Sequence, residues 1–158
     1  MNNKALIIKR ISLSFLTAFF IGFIFYNSSL NADESTIHST GVRELINNLL
    51  SSLNINIYLS EHFVRKCAHC AEYFVLGVML FFTVKSYIVS LDYKIVIALC
   101  VGLLTASVDE IIQLYSDGRS GQLTDVILDF IGVCTAVCIL YIIFKCVSKR
   151  KTETDRKY

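Results

Sequence analysis

The sequence predicts an all-α, polytopic membrane bundle of four transmembrane helices, with an amphipathic helix in the first outer loop. Three observations predict it. Four apolar runs, at about 11–30, 67–88, 95–115 and 123–147, are each long enough to cross a bilayer. Hydrophobic residues make up 54% of the 158 and charged residues 18%, more apolar than the roughly 45–50% of soluble domains. A soluble fold of this size would expose large apolar patches, which lipid accepts and water does not. Finally, the last three runs are joined by short links, which makes them antiparallel neighbours.

The first run follows Lys4, Lys9 and Arg10. A helix of about 20 residues spans about 30 Å, the thickness of the hydrocarbon core. Basic residues before an apolar run also open secretory signal peptides. Here Leu30 would stand three residues before the cut, at Ala32, where a small residue is needed, so the run is expected to stay as a membrane helix. The outer loop, 31–66, is polar and mixed. Within it Val42, Leu45, Ile46, Leu49, Leu50 and Leu53 recur at three- and four-residue spacing, with Arg43, Glu44, Asn47 and Asn48 on the other faces. That periodicity predicts an amphipathic helix, lying on the membrane surface or capping the bundle. Runs two and three meet near 90–94, and runs three and four through 116–122, which holds Asp117, Gly118 and Gly121. The charged tail, 148–158, is expected to fray. Pro is absent, so no proline kink is expected. The whole chain, 1–158, reads as one membrane domain.

Orientation follows from Lys and Arg in the short loops. The two termini and the link between runs two and three carry eleven of them, against four in the other two loops. Both termini are therefore expected in the cytoplasm of a multi-pass cell-membrane protein. A net charge of +2 argues against a nucleic-acid partner. Of six Cys, Cys100, Cys134, Cys138 and Cys146 lie inside apolar runs, unlike a secreted disulfide framework. Cys67 and Cys70 flank His69, but a zinc site wants about four ligands, commonly from separated pairs, and there is no second outer Cys pair. No metal or cofactor is assigned. His38 and His62 read as surface residues of the outer loop. The sequence contains no Gly-x-Ser-x-Gly elbow, P-loop or dinucleotide fingerprint.

The ionisable residues of the spans gather at one end. Lys66, His69 and Glu72 head run two; Asp109, Glu110 and Gln113 end run three; Arg119 follows; Asp125 and Asp129 open run four. On the charge-based topology this is the outer end. Charges inside a span cost roughly 2.5–3.5 kcal/mol each at mid-helix and are usually turned inward and paired. His69 and Tyr73 share a helix face, as do Asp109 and Gln113, and Asp125 and Asp129. Beneath them run the small-residue stripes Ala98, Gly102, Ala106 and Gly132, Ala136, suited to close helix contact. The polar groups are thus expected to face one another across a cleft, although ion pairs that simply lock helix ends would use the same residues.

These residues resemble the signatures of the VanZ-like membrane proteins. Lys66-x-x-His69-x-x-x-Tyr73-x-x-Leu76-Gly77 is similar to the first, and Asp109-Glu110-x-x-Gln113 followed by Arg119, Asp125 and Gly132 to the second. Order and spacing correspond across about 63–133. The resemblance implies Asn where this chain has Asp129, which adds an acid beside Asp125. It also implies a bacterial cell-membrane protein, in a family whose namesake is associated with resistance to teicoplanin, a lipid-bearing glycopeptide.

Two functions follow as expectations. One is a non-enzymatic envelope protein contributing to glycopeptide resistance or envelope homeostasis. Its outer cleft, with Lys66, Glu72, Tyr73, Gln113, Asp125 and Asp129 as binding residues, would hold an amphiphilic ligand such as a lipoglycopeptide or a wall-precursor lipid, alongside membrane lipids. The other is a membrane enzyme acting on a lipid-linked substrate at the outer leaflet. There His69 would be general acid and base, Asp109 or Glu110 would orient it, and Arg119 would stabilise developing negative charge. Asp125 and Asp129 would share a proton or hold a divalent cation. A proton-coupled transporter fits less well, because the other halves of the spans lack a polar path.

Overall fold

The computed structural model describes residues 3–55, 57–88, 90–119 and 121–155. It is all-helical there, with α1 (Asn3–Ser29), α2 (Ala32–Ser52), α3 (Glu61–Tyr87), α4 (Leu91–Leu114) and α5 (Leu123–Asp155) in chain order. Four of these, α1, α3, α4 and α5 up to Lys149, are long and apolar enough to cross a membrane. The protein is a helical membrane bundle.

Two helix boundaries differ from the hydropathy reading. α3 starts at Glu61, well before the apolar run at Cys67, because a cap sets its start. The Ser60 side chain accepts the Phe63 backbone N–H at 3.3 Å, and Glu61 places negative charge on the positive end of the helix dipole. At the other extreme α5 continues to Asp155, so the segment 148–155 is helical rather than frayed. Nothing after Gly132 is Gly or Pro, and Lys, Arg and Glu are good helix formers. Lys94, counted from sequence as a loop charge, lies in the first turn of α4 and is buried.

Ile24, Tyr73, Leu76, Leu80, Phe81, Ala98, Ala106, Val133 and Val137 form the interior. The α3–α5 crossing is the tightest. A Cβ on Gly132 would stand 2.5 Å from the Cys70 carbonyl oxygen, and one on Gly77 would stand 2.9 Å from both Val133 O and Ala136 Cβ. The small-residue stripes therefore do what small residues do between membrane helices: they let backbones touch. The outward faces remain apolar, with Phe15 72%, Leu104 65% and Ile142 59% exposed, as lipid contact requires.

α2 packs against α3. Asn47 ties down the segment between them, its amide accepting the Leu59 N–H at 2.9 Å and donating to the Leu59 carbonyl at 3.3 Å. Of the apolar stripe read from sequence, Val42, Leu45, Leu49 and Leu53 are at least half exposed, while Ile46 and Leu50 are partly buried. The His38 side chain lies outside the described part of α2.

Helix direction defines two ends. Near the start of α1, Arg10 donates to the Ser86 carbonyl at 2.7 Å, and Thr17 and Thr83 share a hydrogen bond of 2.8 Å, so this end also holds the finish of α3. Near the finish of α1, the Ser28 carbonyl accepts from Ser116 at 3.0 Å, bringing together the finish of α4, the start of α3 and the start of α5.

Candidate functional site

The second end holds a cavity of about 100 Å³ between the first turns of α3 and α5 and the α4–α5 connection. α3 lines it with His62, Arg65, Lys66 and His69; the finish of α4 and the connection contribute Gln113, Gly118, Arg119 and Gln122; α5 supplies Asp125, Leu128 and Asp129. Six of the residues singled out from sequence thus border one space: Lys66, His69, Gln113, Arg119, Asp125 and Asp129.

Their partners divide them into two groups. Near the mouth, Lys66 Nζ meets Asp125 Oδ1 at 2.7 Å. Both side chains keep roughly a quarter to a third of their surface exposed, 31% and 27%. This pairing consumes Asp125, so the sharing of a proton or cation between Asp125 and Asp129 that helical spacing allowed gives way to an interhelical ion pair. Arg119 Nη1 donates to the Ser28 carbonyl at 3.4 Å, while its Nε is buried with no partner. Burial, and next the nearby Arg65 guanidinium, hold Arg119 below the ordinary arginine value. Two guanidinium groups around one small cavity repel each other, and an anion between them would relieve that repulsion.

Deeper in, Asp109 is fully buried and Asp129 is 2% exposed. Gln113 Nε2 donates to Asp109 Oδ2 at 3.2 Å. Asp129 Oδ1 and His69 Nδ1 have no hydrogen-bond partner, while the Ser28 and Tyr73 hydroxyls face the Asp109 carboxylate. His69, Asp109 and Asp129 each place one nitrogen or oxygen so that all three atoms lie within 4.8 Å of one another. One comes from α3, one from α4 and one from α5. Glu72 stands behind His69, its Oε2 3.8 Å from His69 Nδ1 and its Oε1 accepting from Asn27 at 3.4 Å.

Four candidates stand outside the cavity wall: Asp109, fully buried beside Asp129, and three others. Glu72 and Tyr73 are packed behind it. Glu110 is committed elsewhere, since its Oε1 accepts the backbone N–H of Gln122 and so clamps the α4–α5 connection. A second-row structural role therefore fits Glu110 better than orienting His69.

His62 and Arg65 border the cavity although the sequence reading assigned them no role, and His62 also lies 3.4 Å from Arg65 Nη2. The signal was present. His62, Arg65, Lys66 and His69 recur at i, i+3, i+4 and i+7, a single helix face. It was hidden because the helix was started at Cys67 instead of at the Ser60 cap. Asn27 and Ser28 of α1 also escaped notice, as polar residues at the foot of an otherwise apolar run.

With this geometry in place, comparison with known proteins is informative. The sequence matches the family described as VanZ/LLP1 across residues 13–145. The chain belongs to this family. No curated protein and no solved structure matches it. The matched VanZ-like span takes in every candidate residue from Lys66 to Asp129, and it starts within α1 and ends within α5. Asp129, the acid that stands where the VanZ-like resemblance implies Asn, is the α5 member of the buried trio.

Proposed function

We propose that this VanZ-like membrane protein binds the anionic headgroup of an amphiphilic envelope ligand, a wall-precursor lipid or a lipoglycopeptide, in the cavity at the outer end of its bundle. The observation that carries the reading is the pair of guanidinium groups, Arg65 and Arg119, facing one cavity that has Lys66 in its wall. Guanidinium suits two-point contact with carboxylate or phosphate. The ligand's apolar chain would run down the exposed faces of the helices. The exposed stripe of α2 would rest on the same leaflet. Through such binding the protein would lower glycopeptide access or maintain the envelope.

The expected outcome is that protein in nanodiscs retains an anionic, lipid-linked precursor over a zwitterionic lipid in native mass spectrometry. Arg65→Gln with Arg119→Gln would reduce that retention at least about tenfold, the loss of one charge-assisted contact. Equal retention by the double variant, together with unchanged teicoplanin sensitivity on deletion, would remove this reading. The outer placement has its own check. In a Cys-free background, Asp117→Cys should react with a membrane-impermeant maleimide on intact cells, and Thr152→Cys only after permeabilisation. The reverse pattern would move the cavity to the cytoplasmic side.

A second reading, catalysis on a lipid-linked substrate, is favoured by one observation: His69 and Asp129, which line the same cavity, converge with Asp109 behind its wall. His69→Gln would then abolish turnover while sparing headgroup retention.

A further inference from the structure

We infer that His69, Asp109 and Asp129 form a binding site for one divalent transition-metal ion, of the zinc or manganese class, at the floor of the cavity. Metal binding stands on its own evidence; only what the ion would add to ligand capture rests on the headgroup reading.

Two carboxyl groups and an imidazole meet inside a membrane bundle, with Asp109 fully buried and Asp129 2% exposed. Burying an unpaired carboxylate costs several kcal/mol even after relaxation. Lys66 is on Asp125 at 2.7 Å, and Arg119, whose Nη1 donates to the Ser28 carbonyl, pairs with neither acid. Among the described residues no Lys or Arg forms an ion pair with Asp109 or Asp129. A cation that is not part of the chain would balance the charge.

Geometry points the same way. Asp129, 2% exposed, keeps Oδ1 without any donor. Asp109 is oriented beside it by Gln113, which donates to its Oδ2 at 3.2 Å. The three donor atoms lie within 4.8 Å of one another. Bonds of about 2.0–2.2 Å to one ion set ligand atoms roughly 3.3 Å apart, so the trio would draw in by up to about 1.5 Å on binding. Glu72 Oε2 lies 3.8 Å from His69 Nδ1, close enough that a small shift would let it orient the imidazole as carboxylates behind metal-bound histidines do.

The donor set selects the ion. One imidazole with two carboxylates suits zinc or manganese, whereas calcium and magnesium prefer oxygen alone. Three protein ligands leave a coordination position open, and His69 and Asp129 both border the cavity. That position would take water or an oxygen of an anionic headgroup.

The test uses the metal alone. Full-length protein in detergent is stripped with a chelator, equilibrated with Zn2+, Mn2+ or Mg2+, desalted and analysed for bound metal. About one Zn2+ or Mn2+ per chain is expected, with Mg2+ not retained. Asp109→Asn and Asp129→Asn should each weaken binding by roughly 100-fold or more, beyond what loss of an outer partner does; Cys67→Ser with Cys70→Ser should leave it unchanged. Co2+-loaded wild type should show visible d–d bands without thiolate charge transfer, which decides the ligand type even if the Asp variants do not fold. No retained ion, retention by both folded Asn variants, loss in the Cys variant, or a thiolate band would each overturn the site. Headgroup retention by metal-free protein separates the two proposals: if it persists without metal binding, only this inference fails.

Discussion

At the end of the bundle where α1 begins, polar groups meet partners. Arg10 reaches the Ser86 carbonyl and lies over the Tyr87 ring, Thr17 bonds Thr83, and Lys85 sits 3.1 Å above the centre of the Phe144 ring. At the end where α1 finishes, the same helices surround a cavity. Apart from Arg43 of α2, the described residues with a buried side-chain atom outside normal hydrogen-bond distance of a partner lie in this half: Ser28, His69, Tyr73, Asp109, Glu110, Arg119 and Asp129. Unmade hydrogen bonds in buried groups cost about 1–3 kcal/mol each. One end shows that this chain can satisfy its polar groups. The other end leaves several of its polar groups to the ligand and the metal ion proposed above.

The largest effect should come from the contact that holds both ends together. Gly132→Leu would drive a side chain into the Cys70 carbonyl, backbone that cannot step aside. A loss of about 3 kcal/mol or more is expected, at the upper end of overpacking costs, seen as failure to recover monodisperse protein. Normal recovery would mean the α3–α5 crossing is looser than described. Next is Lys66→Met, which strands Asp125 at the cavity mouth. Its pair is half shielded, so a cost of about 1–2 kcal/mol is expected, between exposed and buried pairs. Addition of Asp125→Asn should restore most of it in thermal unfolding, and no coupling between the two changes would argue that the ion pair is incidental.

At the closed end Thr17→Val removes an interhelical hydrogen bond, for about 1 kcal/mol, and should leave metal and headgroup binding as they were. A change in either would tie the two ends together. The smallest effect is expected of Tyr73→Phe. The buried hydroxyl faces Asp109 without a hydrogen bond of normal length, so its loss should change stability by under about 1 kcal/mol. Clear destabilisation would show that the hydroxyl is held after all, and would weaken the contrast between the ends.

Much of this architecture was legible in the chain. Lipid leaves α-helices as the natural spanning form for long apolar runs, because each backbone group finds its partner within the segment, so hydropathy alone placed α1, α3, α4 and α5. Spacing along single helices was equally readable: Asp109 with Gln113, Gly132 with Ala136. What failed was anything set by a polar cap. The Ser60 start of α3 hid the face shared by His62, Arg65, Lys66 and His69, since apolar periodicity begins later.

By itself, then, the sequence determined the number of spans, the gathering of charge at one end and the small-residue stripes, all of which are properties of one helix at a time. Only the tertiary structure decided who meets whom. It gave Asp125 to Lys66, sent Glu110 to the Gln122 backbone and left Asp129 with Asp109 and His69. Pairing between helices depends on their relative rotation and axial offset. Those are set where Gly132 lies against Cys70 and Gly77 against Val133, and no spacing within a single helix specifies them.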